Sequence, residues 1–237
     1  MNGFIHGMVR AAAESFTLPG PVLEVGSFVV EGQEQWSLRP LFPSHEYLGI
    51  DIRPGPGVDR VENVEKLTLP DRSVGVVLAL NAFEHVRKFW LGLAEVRRVL
   101  RPDGVLLFST PFYFKVHHYP NDYWRFTPEG VKVLLEDYPF KLVGVQGSDR
   151  RPSNVWAVAF AGGRPAVSEE QIETFGKRLK SYAKPESSPG RRLVAKVGSK
   201  MLGKAPFETI LYETRAKFEA VDESIEGAGN EEKERIA

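Results

Sequence analysis

The sequence predicts an α/β fold: a mostly parallel sheet of seven strands with helices on both faces, followed by a helical C-terminal extension. Three observations carry this. Short apolar runs stop at a glycine or an acid, first Val22-Leu23-Glu24-Val25 before Gly26 and then Tyr47-Leu48-Gly49-Ile50 before Asp51. The segment between them is long enough for a loop and a crossover helix, the pattern of a β-α-β unit. A third run, Val74-Gly75-Val76-Val77-Leu78-Ala79-Leu80, is continuously apolar, as in a central parallel strand covered on both faces.

The remaining elements follow in order. Residues 6–16 read as a leading helix, 21–25 and 47–51 as the first two strands, and 33–41 as the crossover helix, limited by Pro40. A short strand is expected at 58–61. An amphipathic helix is expected at 89–100, with Trp90, Leu93, Val96 and Leu100 on its apolar face. Arg101-Pro102-Asp103-Gly104 turns the chain into a strand at 105–109. Thr127-Pro128-Glu129 opens a helix: a threonine cap, proline at the first helical position, an acid in the first turn. Strands at 141–145 and 155–160 finish the sheet as an apparent hairpin.

Composition bounds the function. The chain has 237 residues, 42% of them hydrophobic, enough for a core, and a formal net charge of zero, which implies no bulk attraction to polyanions. It has no cysteine, which excludes disulfides, thiolate nucleophiles and thiolate metal sites. No run approaches a membrane span and residues 1–18 make a poor signal peptide, so a cytoplasmic protein is expected. The division predicted is a sheet domain over 1–163, a helical extension over 164–226 and a disordered tail over 227–237.

The ends of parallel strands form the ligand crevice of an open sheet. Asp51, closing the second strand, is placed to accept both hydroxyls of a ribose. Glu24, Gly26 and Ser27 lie at the end of the first, where Glu24 either meets the ligand or holds the loop through backbone N–H groups. A dinucleotide site wants Gly-x-Gly-x-x-Gly, but Gly26 is followed by Ser27, Phe28, Val29, Val30 and Glu31, and Glu31 would repel a phosphate. S-adenosylmethionine carries a ribose and an adenine but no phosphate, and fits these residues better than NAD. Asn81, at the end of the central strand, faces the same crevice.

In chain order, LEVGS, GIDIRPGPGVD, LTLPDRSVGVVLALNAFEHV and EVRRVLRPDGVLLFSTPF resemble the class I S-adenosylmethionine-dependent methyltransferases, with their Rossmann-like sheet, and among them the type 11 methyltransferase-domain proteins. The resemblance covers residues 21–161. The later HYPNDYWRFTPEGVKVLL resembles a subset of them. It implies S-adenosyl-L-methionine as cofactor, with Asn63 and Val64 at the adenine. The sequence departs from the family pattern in three places: Phe28 and Val30 replace later glycines of the first loop, Asn63 stands for an acid, and Gly75 for the Asp that commonly opens the fourth strand.

The densest polar-aromatic cluster is His117-His118-Tyr119-Pro120-Asn121-Asp122-Tyr123-Trp124-Arg125-Phe126. Methyl transfer needs alignment and exclusion of water, and a hydroxyl acceptor also needs its proton removed. His118 is the candidate base and Asp122 its orienter. In the plainer alternative Tyr123, Trp124 and Phe126 are core, Arg125 pairs with Asp122, and the cluster's histidines are solvated; His85, separately, packs at the start of the next helix. A metal site from His117, His118 and Asp122 is the weaker reading and none is assigned, because adjacent histidines tend to point apart and no helical His-x-x-x-His spacing exists.

Toward the C-terminus, Ser168-x-x-Gln171 is a capping box, and Ile172, Phe175, Leu179 and Tyr182 form a helical stripe. Residues 184–190 read as a linker and 191–202 as another helix. Phe207, Ile210, Leu211, Thr214, Phe218, Val221 and Ile225 make a third stripe at helical spacing. Residues 177–204 hold nine basic residues and one acid, and 208–235 nine acids and four basic residues. The helices therefore pack on each other or on a second copy in a homodimer, or the basic segment 177–204 contacts a membrane surface. The expected function is O-methylation of a small molecule, sugar or lipid-linked glycan. No nucleic-acid partner is expected, since the core has no basic groove. The alternatives are a non-catalytic binding or scaffold protein and an NAD-dependent oxidoreductase.

Overall fold

The structure, a computed structural model, describes residues 2–117, 121–163, 167–182 and 216–223. Helix α1 (Gly3–Ser15) is capped by Asn2, whose side-chain oxygen accepts from the Ile5 N–H at 3.0 Å. Strands β1 (Val22–Val25), β2 (Tyr47–Asp51), β3 (Arg60–Val61) and β4 (Val74–Leu80) follow. After them come α2 (Phe89–Val99), β5 (Leu100–Pro111), α3 (Pro128–Leu134), β6 (Phe140–Ser148), β7 (Arg151–Phe160), α4 (Glu169–Tyr182) and β8 (Ala216–Asp222). The caps read from sequence are present: Thr127 Oγ1 accepts from Gly130 N–H at 3.0 Å, and Ser168 and Gln171 bond reciprocally at 3.2 and 2.9 Å.

Among the described residues one sheet runs in the order β3-β2-β1-β4-β5-β7-β6-β8. Strands β1 to β5 pair in parallel, while β7 is antiparallel to both β5 and β6. The strands alternate between two cores with a period of two. Val76, Leu78, Leu107, Trp156 and Val158 face α1 and α4 through Ile5, Met8, Phe175 and Leu179. Val77, Ala79, Leu106, Phe108 and Ala157 face α2 and α3 through Val96, Val99 and Val131.

Four expectations are corrected. The helix predicted over 33–41 is a pair of 3₁₀ turns, Glu34–Trp36 and Arg39–Leu41, because Ser37 is extended and Pro40 lacks the N–H an α-helix needs. The turn at Arg101–Gly104 is absorbed into β5 as a bulge, where the register with β4 jumps from Val74↔Leu100 to Val76↔Val105. Trp90 is 52% exposed, because α2 buries the face carrying Gly92, Val96 and Val99. The sheet has eight strands where seven are predicted. Residues 216–222, read as part of a third helical stripe, form β8 and pair antiparallel with β6. Apolar Phe218 packs against Trp156 and Phe175, so local spacing yields to a partner strand. Lys141, fully buried on β6, directs Nζ to Glu223 Oε1 at 2.5 Å and to the Tyr138 carbonyl at 3.3 Å.

The helix predicted over 191–202, the linker over 184–190, the tail over 227–237 and most of the basic segment 177–204 lie outside the described residues. No helix among the described residues is long and apolar enough to cross a membrane.

Phe175 on α4 is fully buried between the rings of Phe16, Trp156 and Phe218. Phe175→Ala is expected to lower the unfolding free energy by about 3–5 kcal/mol in urea titration. A loss below about 1 kcal/mol would mean that α4 does not belong to this core.

Candidate functional site

The C-terminal ends of β1, β2 and β4 are level, with Val25 paired to both Ile50 and Ala79. Above them opens a crevice of about 660 Å³, a size suited to a small ligand. One group of lining residues follows β1 and β2: Glu24, Gly26, Ser27, Phe28, Asp51, Asn63 and Val64. A second group follows β4 and β5: Asn81, Glu84, His85, Phe114, His117 and Tyr123.

Gly26 turns the chain out of β1 with φ +78°, and an added Cβ would stand 3.1 Å from the Ala82 methyl. Its N–H and that of Ser27 both donate to the Ile50 carbonyl, at 2.9 and 3.0 Å. These amides are therefore committed to the scaffold. Ser27 Oγ is buried without a hydrogen-bond partner among the described residues. Asp51 Oδ1 accepts from the Arg53 N–H at 3.0 Å, which fixes the carboxylate at the crevice wall. Among the described residues Oδ2 accepts no hydrogen bond. Arg53 lies over the Phe28 ring, 4.4 Å from its centroid, and so fastens the first loop to the turn after β2.

Glu24 does not hold the loop amides. It accepts from the Tyr47 hydroxyl at 2.6 Å. Burial raises its carboxyl to about 7, against the opposing effects of that hydrogen bond and of Arg39. Asn63 Oδ1 accepts from the Glu65 N–H at 2.9 Å, an Asx turn that sets its direction and leaves its NH₂ as the group available to a ligand. Val64 is almost fully buried and packs beneath it. Asn81 occupies the left-handed region at φ +52°, where asparagine is tolerated, and its Oδ1 accepts from the Ser109 hydroxyl at 2.8 Å.

The cluster after β5 is organised by Asp122. Its carboxylate takes both Arg125 Nη groups and the His117 N–H at 2.9 Å, with His117 Nδ1 also 2.9 Å away. Burial alone would raise its pKa, but these donors hold it well below the usual carboxylate range. Its side chain is 1% exposed, so Asp122 positions its loop and His117. The pairing with Arg125 is the plainer of the two sequence readings. His118, the candidate base, lies outside the described residues. Sequence reasoning missed Glu84, a carboxyl with no exposed surface on the 3₁₀ turn Phe83–His85. Burial raises it to about 8. The signal was an acid inside the otherwise apolar or aromatic Ala82-Phe83-Glu84-His85-Val86.

Residues 31–108 match the methyltransferase domain family. A Mycolicibacterium smegmatis protein named "Probable S-adenosylmethionine-dependent methyltransferase" is 43% identical over 65 residues, 27% of this chain and 23% of that protein. The malonyl-acyl-carrier-protein O-methyltransferase of Methylococcus capsulatus is 33% identical over 105 residues, 39% of this chain and 38% of that one. The chain thus spans about a quarter to two-fifths of the curated relatives it matches. Among solved structures, an S-adenosylmethionine-dependent methyltransferase from Archaeoglobus fulgidus superposes with a TM-score of 0.51 at 14% identity, over 66% of this chain and 92% of that chain. Over residues 31–108 the chain thus resembles the type 11 methyltransferase domain. The sheet shares the Rossmann-like arrangement of the Archaeoglobus structure.

A carboxyl with a raised folded-state pKa stabilises the fold below its unfolded value, and that contribution is lost as pH rises through the folded value. Stability measured by urea titration is therefore expected to fall by about 2–3 kcal/mol less between pH 5 and pH 8 in Glu24→Gln than in the unsubstituted protein. Equal slopes would remove Glu24 as a buried titrating group.

Proposed function

We infer that this protein transfers a methyl group from S-adenosyl-L-methionine to an oxygen of a small molecule, sugar or lipid-linked glycan. The observation that carries the reading is Asp51: a nearly buried carboxylate, oriented by the Arg53 N–H, at the tip of the strand beside Gly26. It suits a ribose diol, and Glu24, Ser27, Asn63, Val64 and Asn81 complete the cofactor half of the crevice. The NH₂ of Asn63 would donate to the adenine edge while Val64 supplies an apolar floor. Asn81, fixed by Ser109, would stand near the methyl group.

The acceptor would enter beside Glu84, His85, Phe114, His117 and Tyr123. The leaving group is neutral once the sulfonium has lost its methyl, so alignment and a dry site supply most of what transfer needs. His118 keeps the role of base proposed on its sequence position, and Asp122 that of the anchor which holds its neighbour His117 and the loop. A neutral overall charge argues for a small acceptor over a nucleic acid.

Asp51→Ala is expected to weaken S-adenosylhomocysteine binding more than tenfold in calorimetry, since a charged acceptor to a diol contributes about 1.5–3 kcal/mol. An unchanged affinity would remove Asp51 from the site. Failure of the unsubstituted protein to bind would favour a non-catalytic scaffold. His118→Ala is expected to lower turnover in an acceptor screen with methyl-labelled donor, while cofactor affinity holds. Normal turnover would end its assignment as base.

A further inference from the structure

We propose that Glu84, His85 and His117 form a binding site for one divalent transition-metal ion, opening into the crevice beside the cofactor. Each of the three offers a donor atom, and these atoms lie within 4.8 Å of one another. All three line the crevice.

Glu84 is the reason to look here. Its side chain is fully buried, and neither carboxylate oxygen has a hydrogen-bond partner among the described residues. A buried carboxyl without donors is costly, and such groups are rare in folded proteins unless something else satisfies them. The nearest cation does not: the Arg125 Nη groups are taken by Asp122 and by the carbonyls of Trp124 and Lys115. A metal ion would meet both oxygens at once.

The imidazoles are arranged as metal ligands usually are. His85 Nδ1 stands 2.6 Å from the Asn121 carbonyl. That carbonyl can only accept, so the ring proton belongs on Nδ1 and the lone pair on Nε2. Nε2 lies 3.7 Å from Glu84 Oε1. His117 packs edge-on against His85 with ring centroids 4.7 Å apart, and the carboxylate of Asp122 stands beside its Nδ1. The carbonyl behind His85 is the kind of outer partner that orients a metal-binding imidazole, while His117 Nδ1 is buried without a hydrogen-bond partner among the described residues. The backbone reinforces this, since the Glu84 carbonyl accepts from the Tyr123 and Trp124 N–H groups and ties the 3₁₀ turn to the loop after β5.

Two imidazoles and one carboxylate select zinc, iron, cobalt or manganese over magnesium or calcium, which take oxygen ligands. Donor atoms around such an ion are about 3–3.5 Å apart, given metal–ligand distances of about 2.0–2.2 Å. The half-buried side chains of His85 and His117 need only small rotations to close on it. Three protein ligands leave a position open toward the crevice. Its use rests on the methyl-transfer reading, on which it would take the acceptor oxygen and make its proton easier to lose. The existence of the site does not depend on that reading.

The test is titration of the purified, EDTA-stripped full chain with Co²⁺ alone, followed by visible absorption and calorimetry. One equivalent is expected to bind at micromolar strength or tighter, with absorption from nitrogen and oxygen ligands and displacement by Zn²⁺. Glu84→Gln and His117→Ala, each checked for folding by its melting transition, are each expected to weaken binding at least tenfold. Absence of saturable binding below about 1 mM, or binding that neither substitution weakens, would overturn the proposal and leave Glu84 and His85 as a pair sharing a proton. S-adenosylhomocysteine is titrated separately. Metal binding without it would end the methyltransferase reading and leave the site standing, and the reverse result would end the metal site alone.

Discussion

The carbonyl of Ile50 accepts from two successive amides, those of Gly26 and Ser27, and the crevice is shaped around that pair of bonds. Two consecutive N–H groups can converge on one oxygen only where the backbone folds back sharply, and Gly26 supplies this with a positive φ beside the Ala82 methyl. The chain leaving β1 is thereby pulled over the end of β2. Asp51 is the next residue after Ile50, so the strand end that anchors the loop also sets the height of the carboxylate. Both walls of this end of the crevice descend from one peptide oxygen.

The same region shows how the first loop is held at Phe28, one of the two residues that replace its later glycines. Phe28 fastens the loop to the turn after β2 with its ring, and its neighbour Val29 does so with its backbone. The Val29 N–H donates to the Pro56 carbonyl at 2.8 Å. A Cβ on Gly55 would come within 2.3 Å of the Phe28 ring, and one on Gly57 within 2.4 Å of the Ser27 carbonyl. The freedom to approach closely has moved across the gap from the loop to the turn facing it. A loop packed by a phenylalanine is as well placed as one stripped to glycines, provided that its partner gives way.

Much of this was legible because the signals were local and repeated. The apolar runs at β1, β2 and β4, the threonine cap of α3 and the reciprocal Ser168–Gln171 cap needed no tertiary information. Asp51 was readable as the acid closing a strand. Errors arose where a distant partner decides. Residues 216–222 have apolar residues at helical spacing, yet β6 and the rings of Trp156 and Phe175 make them a strand. The 3₁₀ turns before β2 reflect a segment too short and too interrupted to sustain an α-helix. Glu84 was missed because its neighbour His117 is 33 positions away in sequence, and only the fold brings the two together.

Strand β8 also sets an order of events. It pairs Phe140 with Asp222 and Gln146 with Ala216, residues far apart in sequence. Until residues near the C-terminus have been made, β6 is an open edge carrying the lysine that later becomes fully buried, Lys141. A charge on an unpaired edge is a recognised guard against wrong pairing between chains. The closure of a long loop by β8 then removes that guard from water and matches it with Glu223. The edge that β6 would otherwise present is covered by β8. That same pairing turns Lys141 from a deterrent at an edge into part of the core.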